Sequence, residues 1–173
     1  MELEIASTDE TTFALNHTGI AAGICKELKI AERINRRIGT THKARVIQPG
    51  TAVVAMILNG LGFTDSTLYM TSSYYQDKPT ELFFGKGVKA EDLSEHTLGK
   101  ALDEIFEYGP TKLYGEIAFE IMLEHGLSGP NAHIDSTSFV LHGDYKNKEE
   151  HAIEITKGHS KARDESLKPV CRA

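Results

Sequence analysis

The chain is poor in cysteine and has no long apolar run. Its 173 residues hold two cysteines, Cys25 and Cys171, near opposite ends and with no C-x-x-C pair between them. That excludes a disulfide scaffold and a cysteine-built structural zinc site, and it implies reduced thiols in a cytoplasmic protein. The most apolar stretch, Thr51 to Leu61, falls well short of the roughly 20 residues a spanning helix needs, so no membrane partner is expected. The start, Met1 to Glu10, is acidic and lacks the basic beginning and apolar centre of a secretory leader. Tryptophan is missing altogether, but 40% hydrophobic and 25% charged residues are ordinary for a folded domain and speak against wholesale disorder.

What is present is unevenly charged. The net charge is −6, yet Lys29, Arg33, Arg36, Arg37, Lys43 and Arg45 stand against Glu32 alone, six bases to one acid, or +5. From Asp77 to Glu124 eleven acids face five lysines, or −6. A basic window in an acidic chain points to a localised anionic partner, with Arg33, Arg36, Arg37, Lys43 and Arg45 as candidate DNA phosphate contacts. A solvated helix face is the plainer reading, and both stand. A helix-turn-helix between Gly19 and Ile38 is compatible with the spacing without being required by it.

From Thr18 to Gly126 the periodicity is helical. Ile20, Ala21, Ile24 and Leu28, then Ile30, Ile34 and Ile38, describe two short helices or one kinked one. Pro49 suits the first turn of a helix whose body, Thr51 to Leu58, is apolar almost all round and therefore central. Thr64 to Thr67 looks like another helix start, leading to Leu68, Met70 and the Tyr74-Tyr75 pair, after which Pro79 and Gly85 to Gly87 mark a loop. Ser94 is a good N-cap for a helix with Leu98, Ala101, Leu102, Ile105 and Phe106 inward, and Gly109-Pro110 opens the next, which stops at His125-Gly126.

After Gly129-Pro130 the period becomes two. His133, Asp135, Thr137, Phe139 and Leu141 share one face of a strand that ends at Gly143-Asp144, and His151 to Thr156 reads as its antiparallel partner. The closing Pro169 to Ala173 carries no secondary-structure signal. The expected organisation is an acidic segment 1–13, a helical domain 14–127 and a β-containing segment 131–173. The fold class is thus mainly α with a β-hairpin.

Asp135 needs a reason to sit in a strand, since an unpaired buried carboxylate is costly and metal coordination is one remedy. His133 and Asp135, two apart on one face, could chelate Zn²⁺ or Mn²⁺ together; a hydrogen-bonded or exposed histidine is the alternative. His142 and Asp144 sit at the turn, facing solvent. Ser136-Thr137-Ser138 has neither glycine elbow nor paired base, so strand hydroxyls are preferred to a nucleophile. Tyr74-Tyr75 reads as packing rather than as a recombinase nucleophile.

Leu98-Gly-Lys-Ala-Leu-Asp103, Ala132-His-Ile-Asp-Ser-Thr-Ser-Phe139 with Gly143-Asp-Tyr145, and Ile155-Thr-Lys-Gly-His-Ser-Lys161 together resemble insertion-sequence transposases of the DDE class. The resemblance spans roughly residues 14 to 168 and is to the branch with a helical region ahead of an RNase H-like catalytic domain. It implies that Asp135 is the first metal-binding and catalytic aspartate, that Gly158 to Lys161 with Arg163, Asp164 and Leu167-Lys168 is an altered form of the stretch that follows, and that the complete enzyme uses Mg²⁺ or Mn²⁺. The second aspartate and final glutamate of the pattern have no counterpart here. The expectation is a truncated transposase: the helical domain followed by the first hairpin of an incomplete RNase H-like α/β domain, without strand cleavage of its own. Its implied partners are terminal-inverted-repeat DNA, another copy of itself, or a full-length transposase. A protein-interaction remnant that binds no DNA and one half of a split nuclease completed by another chain are the alternatives.

Overall fold

The computed structural model describes residues 13, 15–39, 45–61, 67–127, 129, 139–141 and 168–170. The chain divides into two compact units, 1–128 and 129–173. Among the described residues the first is built of helices: α1 Asn16–Glu27, α2 Ile30–Ile38, α3 Pro49–Gly60, α4 Thr71–Tyr75, α5 Thr80–Phe84, α6 Glu95–Tyr108 and α7 Pro110–His125, with single 3₁₀ turns at Leu68–Met70 and Ala90–Asp92. The protein is mainly helical.

The punctuation acts as its chemistry requires. Pro49 and Pro110 occupy first turns, where a missing N–H costs nothing. Ser94 caps α6, its side chain accepting from the Thr97 amide at 3.4 Å. Gly126 closes α7 in the left-handed region at φ 62°, and the Leu127 amide reaches back to the Met122 carbonyl at 3.0 Å. The first helical stretch resolves into two helices, α1 and α2, because Lys29 adopts φ 51°, a conformation that disfavours a side chain bearing Cβ. The loop expected from Pro79 to Gly87 contains a helix, α5. Two phenylalanines explain it: Phe84 meets Tyr75 edge-on at 5.2 Å and Phe83 meets Phe84 at 5.9 Å, so packing outweighs the breakers on either side.

The core centres on α3, as the apolar Thr51 to Leu58 body implies. Ala52, Val54, Ala55 and Leu58 are buried against Cys25, Ile47, Tyr75, Leu93, Leu98 and Ala101. Tyr75 is fully buried and its hydroxyl donates to the Ala55 carbonyl at 2.8 Å, which satisfies the one polar atom this ring carries inside. The inward face expected for α6 holds at Leu98, Ala101 and Ile105. Leu102 is 42% and Phe106 67% exposed, while Ile105 turns to a second, smaller cluster of Ile34, Leu113 and Ile117.

The second unit contains a short antiparallel ladder, β1 Phe139–Leu141 on β2 Lys168–Val170, with Phe139 opposite Val170 and Leu141 opposite Lys168. Phe139 to Leu141 is the end of the expected strand. Its partner is a segment around Pro169 that the sequence did not signal, because a proline lacking an N–H reads as a strand breaker and is tolerated only at an edge. The expected partner His151 to Thr156 lies outside the described residues.

Gly50 fixes the closest approach in the helical unit. A Cβ there would sit 2.1 Å from the Ala31 carbonyl oxygen, and the Gly50 amide donates to Asn35 Oδ1 at 2.7 Å, so α3 enters directly against the α2 backbone. Gly50→Ala is expected to destabilise the helical unit by about 2–3 kcal/mol, since backbone cannot yield as a side chain would. Urea unfolding followed by circular dichroism measures it; a midpoint equal to the parent's would show that α2 and α3 separate freely.

The arginine–glutamate clamp and the candidate nucleic-acid surface

The basic window is mostly engaged within the protein. On α2, Arg33 and Arg37 are four residues apart and share one face; on α7, Glu116, Glu120 and Glu124 repeat at the same interval. Arg33 pairs with Glu124 and, through Nη1, with Glu120 at 2.5 Å. Arg37 Nη2 reaches Glu120 at 2.6 Å and its Nε donates to Glu116 at 3.0 Å. Rising numbers on α2 meet falling numbers on α7, so the two helices run antiparallel. Arg36 adds a third arginine to Glu120, its Nη2 lying 2.6 and 2.8 Å from the two carboxylate oxygens.

Solvent access divides these cations by role. The side chain of Arg33 is 5% exposed and that of Arg37 15%, against 62% for Arg36. Arg33 Nε also donates to the Leu28 carbonyl at 2.8 Å, and Arg37 Nη1 to the Arg33 carbonyl at 3.1 Å, so both guanidinium forks are spent locally. Tyr108 of α6 closes the array, its hydroxyl donating to Glu116 at 2.8 Å. Arg45 forms a separate pair with Glu104 on α6 at 2.6 and 2.8 Å.

Of the five residues expected to meet DNA phosphates, Arg33 and Arg37 are paired with glutamates of α7 and Arg45, which precedes α3, with Glu104 of α6. Arg36 stays largely exposed, and Lys43 lies outside the described residues. The outward cations of α1 and α2 are Lys26, Lys29 and Arg36, interspersed with Glu27 and Glu32. A shallow cavity of about 220 Å³ opens over the clamp between Lys29, Glu32, Arg33, Arg36, Glu120 and Glu124. The glutamates of the clamp did not figure among the candidate residues. Their signal was present as spacing, three acids at four-residue intervals in a −6 segment facing a +5 segment, and it needed only the assumption that the two segments meet.

His133, Asp135, His142 and Asp144 lie outside the described residues, and so does Cys171. Among the described residues no group of three or more His, Cys, Asp or Glu side chains is placed to hold a metal ion. Tyr74 and Tyr75 pack edge to face at 4.8 Å, in keeping with a packing role. Cys25 is buried, and burial pushes its thiol up, away from the reactive thiolate. It borders a cavity of about 320 Å³, where Lys26, Asn35, Glu81, Phe83 and Phe84 also meet. No helix among the described residues is long and apolar enough to cross a membrane.

Residues 10–119 match the model of a family described as a domain of unknown function, DUF4277, and the chain belongs to that family. No curated protein and no solved structure matches it.

The clamp sets a pH dependence. Hydrogen bonds from Arg37 and Arg36 push the Glu120 carboxyl down to about 2, and Tyr108 and Arg33 lower Glu116 and Glu124 respectively. A carboxyl depressed on folding contributes stability that is complete above its unfolded value, near 4.3, and is lost as pH falls toward the folded one. The urea midpoint is expected to drop between about pH 4.3 and pH 2, and Glu120→Gln should flatten that decline. A second expectation concerns Arg33. Replacing both Glu120 and Glu124 by glutamine strands a buried guanidinium and should lower the midpoint more than Arg33→Met, which leaves carboxylates that water can reach. The reverse order in the two urea titrations would show that the arginine acts by packing alone.

Proposed function

We propose that this member of the DUF4277 family is the helical module of a DDE-class insertion-sequence transposase, a part that binds and assembles rather than cuts. One observation carries the reading. The helical domain is followed by Ala132-His-Ile-Asp-Ser-Thr-Ser-Phe139, the strand context in which that lineage places its first metal-binding aspartate, here Asp135. DNA transposition and recombination are the processes this reading attaches to the chain, with terminal-inverted-repeat DNA or another transposase chain as the partner.

Catalysis in that lineage rests on two Mg²⁺ or Mn²⁺ ions clamping the attacking and leaving oxygens of a phosphodiester. Asp135 would supply one carboxylate. A single carboxylate is a poor holder for two hard cations that want several oxygen ligands each, and we assign no cleavage step to these residues. The DNA-facing part of the proposal rests on Lys26, Lys29, Arg36 and Lys43. Arg33, Arg37 and Arg45 are excluded from it, because their side chains are largely enclosed as well as paired, whereas Arg36, also paired with Glu120, is 62% exposed.

That engagement favours a second reading, a protein-interaction module that grips no DNA. Titration of terminal-repeat duplexes at increasing salt separates the two. On the first reading the parent binds at low salt, and log affinity falls with log salt by roughly 0.9 for each phosphate neutralised. Arg36→Glu should then weaken binding about tenfold, roughly the effect of reversing one well-placed charge, with the urea midpoint only slightly changed. A parent that fails to shift DNA at 50 mM salt leaves the protein-interaction reading standing. The cleavage claim has its own check in Mg²⁺ and Mn²⁺: nicking by the purified chain that disappears in Asp135→Ala would overturn it.

A further inference from the structure

Helices α1, α2, α3 and α5 surround the cavity of about 320 Å³ that Cys25 borders, at the small end of the roughly 300–1,000 Å³ typical of sites for small organic molecules. Cys25 and Val54, both buried, give it an apolar inner wall, and Phe83 and Phe84 an aromatic one. Its rim is charged. Lys26 of α1, Glu32 of α2 and Glu81 of α5 stand there, all three exposed.

Lys26 and Glu32 share one opening because the chain turns between them. In an unbroken helix their six-residue separation would span about 600° and leave the two side chains on different faces. With Lys29 at φ 51° both border the cavity. Among the described residues neither is in an ion pair. Glu81 is committed to its own loop, where its Oε1 accepts from the Gly87 amide at 2.8 Å. Asn35, also on the lining, lends Oδ1 to the Gly50 amide at 2.7 Å, which leaves its NH₂ group to donate.

We propose that this cavity binds a free α-amino acid with an apolar side chain. The ligand's carboxylate meets Lys26 and the Asn35 amide nitrogen, and its ammonium meets Glu32. Its side chain lies among Phe83, Phe84, Val54 and Cys25, where aromatic and aliphatic surface takes it out of water. Charge argues for a zwitterion. One cation and one uncommitted carboxylate on a single rim are both answered only by a ligand that carries both signs. A phosphate ester would bring negative charge to a rim of one base and two acids, and a fatty chain brings no ammonium to Glu32. The proposal goes beyond the transposase reading and does not rest on it; Lys26 is the one residue the two share, and the DNA titration and the ligand titration fail separately.

Calorimetric titration of the full chain with L-phenylalanine tests it, beside 2-phenylethylamine, which lacks the carboxylate, and 3-phenylpropionate, which lacks the ammonium. L-Phenylalanine should bind once per chain with a Kd of about 0.1–1 mM, the range that about a dozen heavy atoms support. Each control should bind about tenfold more weakly, the effect of one lost charged contact. Lys26→Ala and Glu32→Gln should each weaken L-phenylalanine about tenfold with unchanged helical circular dichroism, both side chains being exposed. In Cys171→Ser, where Cys25 is the sole thiol, L-phenylalanine at about ten times its Kd should slow alkylation by N-ethylmaleimide about tenfold. Neither heat nor protection at about 10 mM ligand overturns the proposal. A control that binds as tightly as L-phenylalanine overturns it too, and so does binding that leaves Cys25 alkylation unslowed, since the site then lies elsewhere. Should Glu32→Gln lose its helical signal, the two controls on the parent chain decide the matter.

Discussion

The helical unit depends on a charge arrangement that spans more than 80 residues of sequence. Arg33 is buried on α2, and a buried guanidinium is tolerable only if its donors are answered. Glu120, Glu124 and the Leu28 carbonyl answer them. For those partners to be there, α7 must lie antiparallel to α2 with its four-residue spacing in register. Leu113 and Ile117 then fall against Ile34, and α6 is held beside them by the Tyr108–Glu116 bond. The same constraint explains the break at Lys29. With φ at 51° the chain turns after α1, and the Leu28 carbonyl left free of the helix accepts from Arg33.

Such a clamp selects an arrangement more than it adds stability. Pairs partly open to water contribute little each, and the burial of Ala52, Leu58, Tyr75, Leu93 and Leu98 around α3 supplies the apolar driving force. What the ions contribute is discrimination. A slip of α7 by one residue would turn its glutamates away from α2 and leave Arg33 buried without a counter-charge. The cost of that state keeps α7 in register. For function, the consequence is that most of a cationic patch is already occupied. The proposed transposase module would meet DNA through the few outward cations near Arg36.

The helices were largely legible in the sequence because their boundaries rest on local chemistry. Pro49, Ser94, Pro110 and Gly126 each act within one turn of where they stand, and Ser94 needs nothing beyond Thr97 to cap its helix. The apolar body of α3 likewise announced its central place. Where the reading fell short, the deciding contact was distant. Short helix α5 exists between two breakers because Phe83 and Phe84 pack on one another and Phe84 on Tyr75. Phe106 was assigned to the interior on spacing and is exposed, because a periodicity shows that a helix has an apolar side without showing how wide a neighbour will cover it.

The candidate DNA contacts show the same division. Sequence established that residues 29–45 carry an excess of positive charge and residues 77–124 an excess of negative charge, quantities that need no fold. It also established the four-residue spacing that puts Arg33 with Arg37, and Glu116 with Glu120 and Glu124, on single helix faces. Only the tertiary structure decided that the two faces meet, and so which arginines are enclosed and which one stays exposed. The physical reason is that charge adds up along a chain, whereas its availability depends on what stands within a few ångströms, and that distance is set by packing.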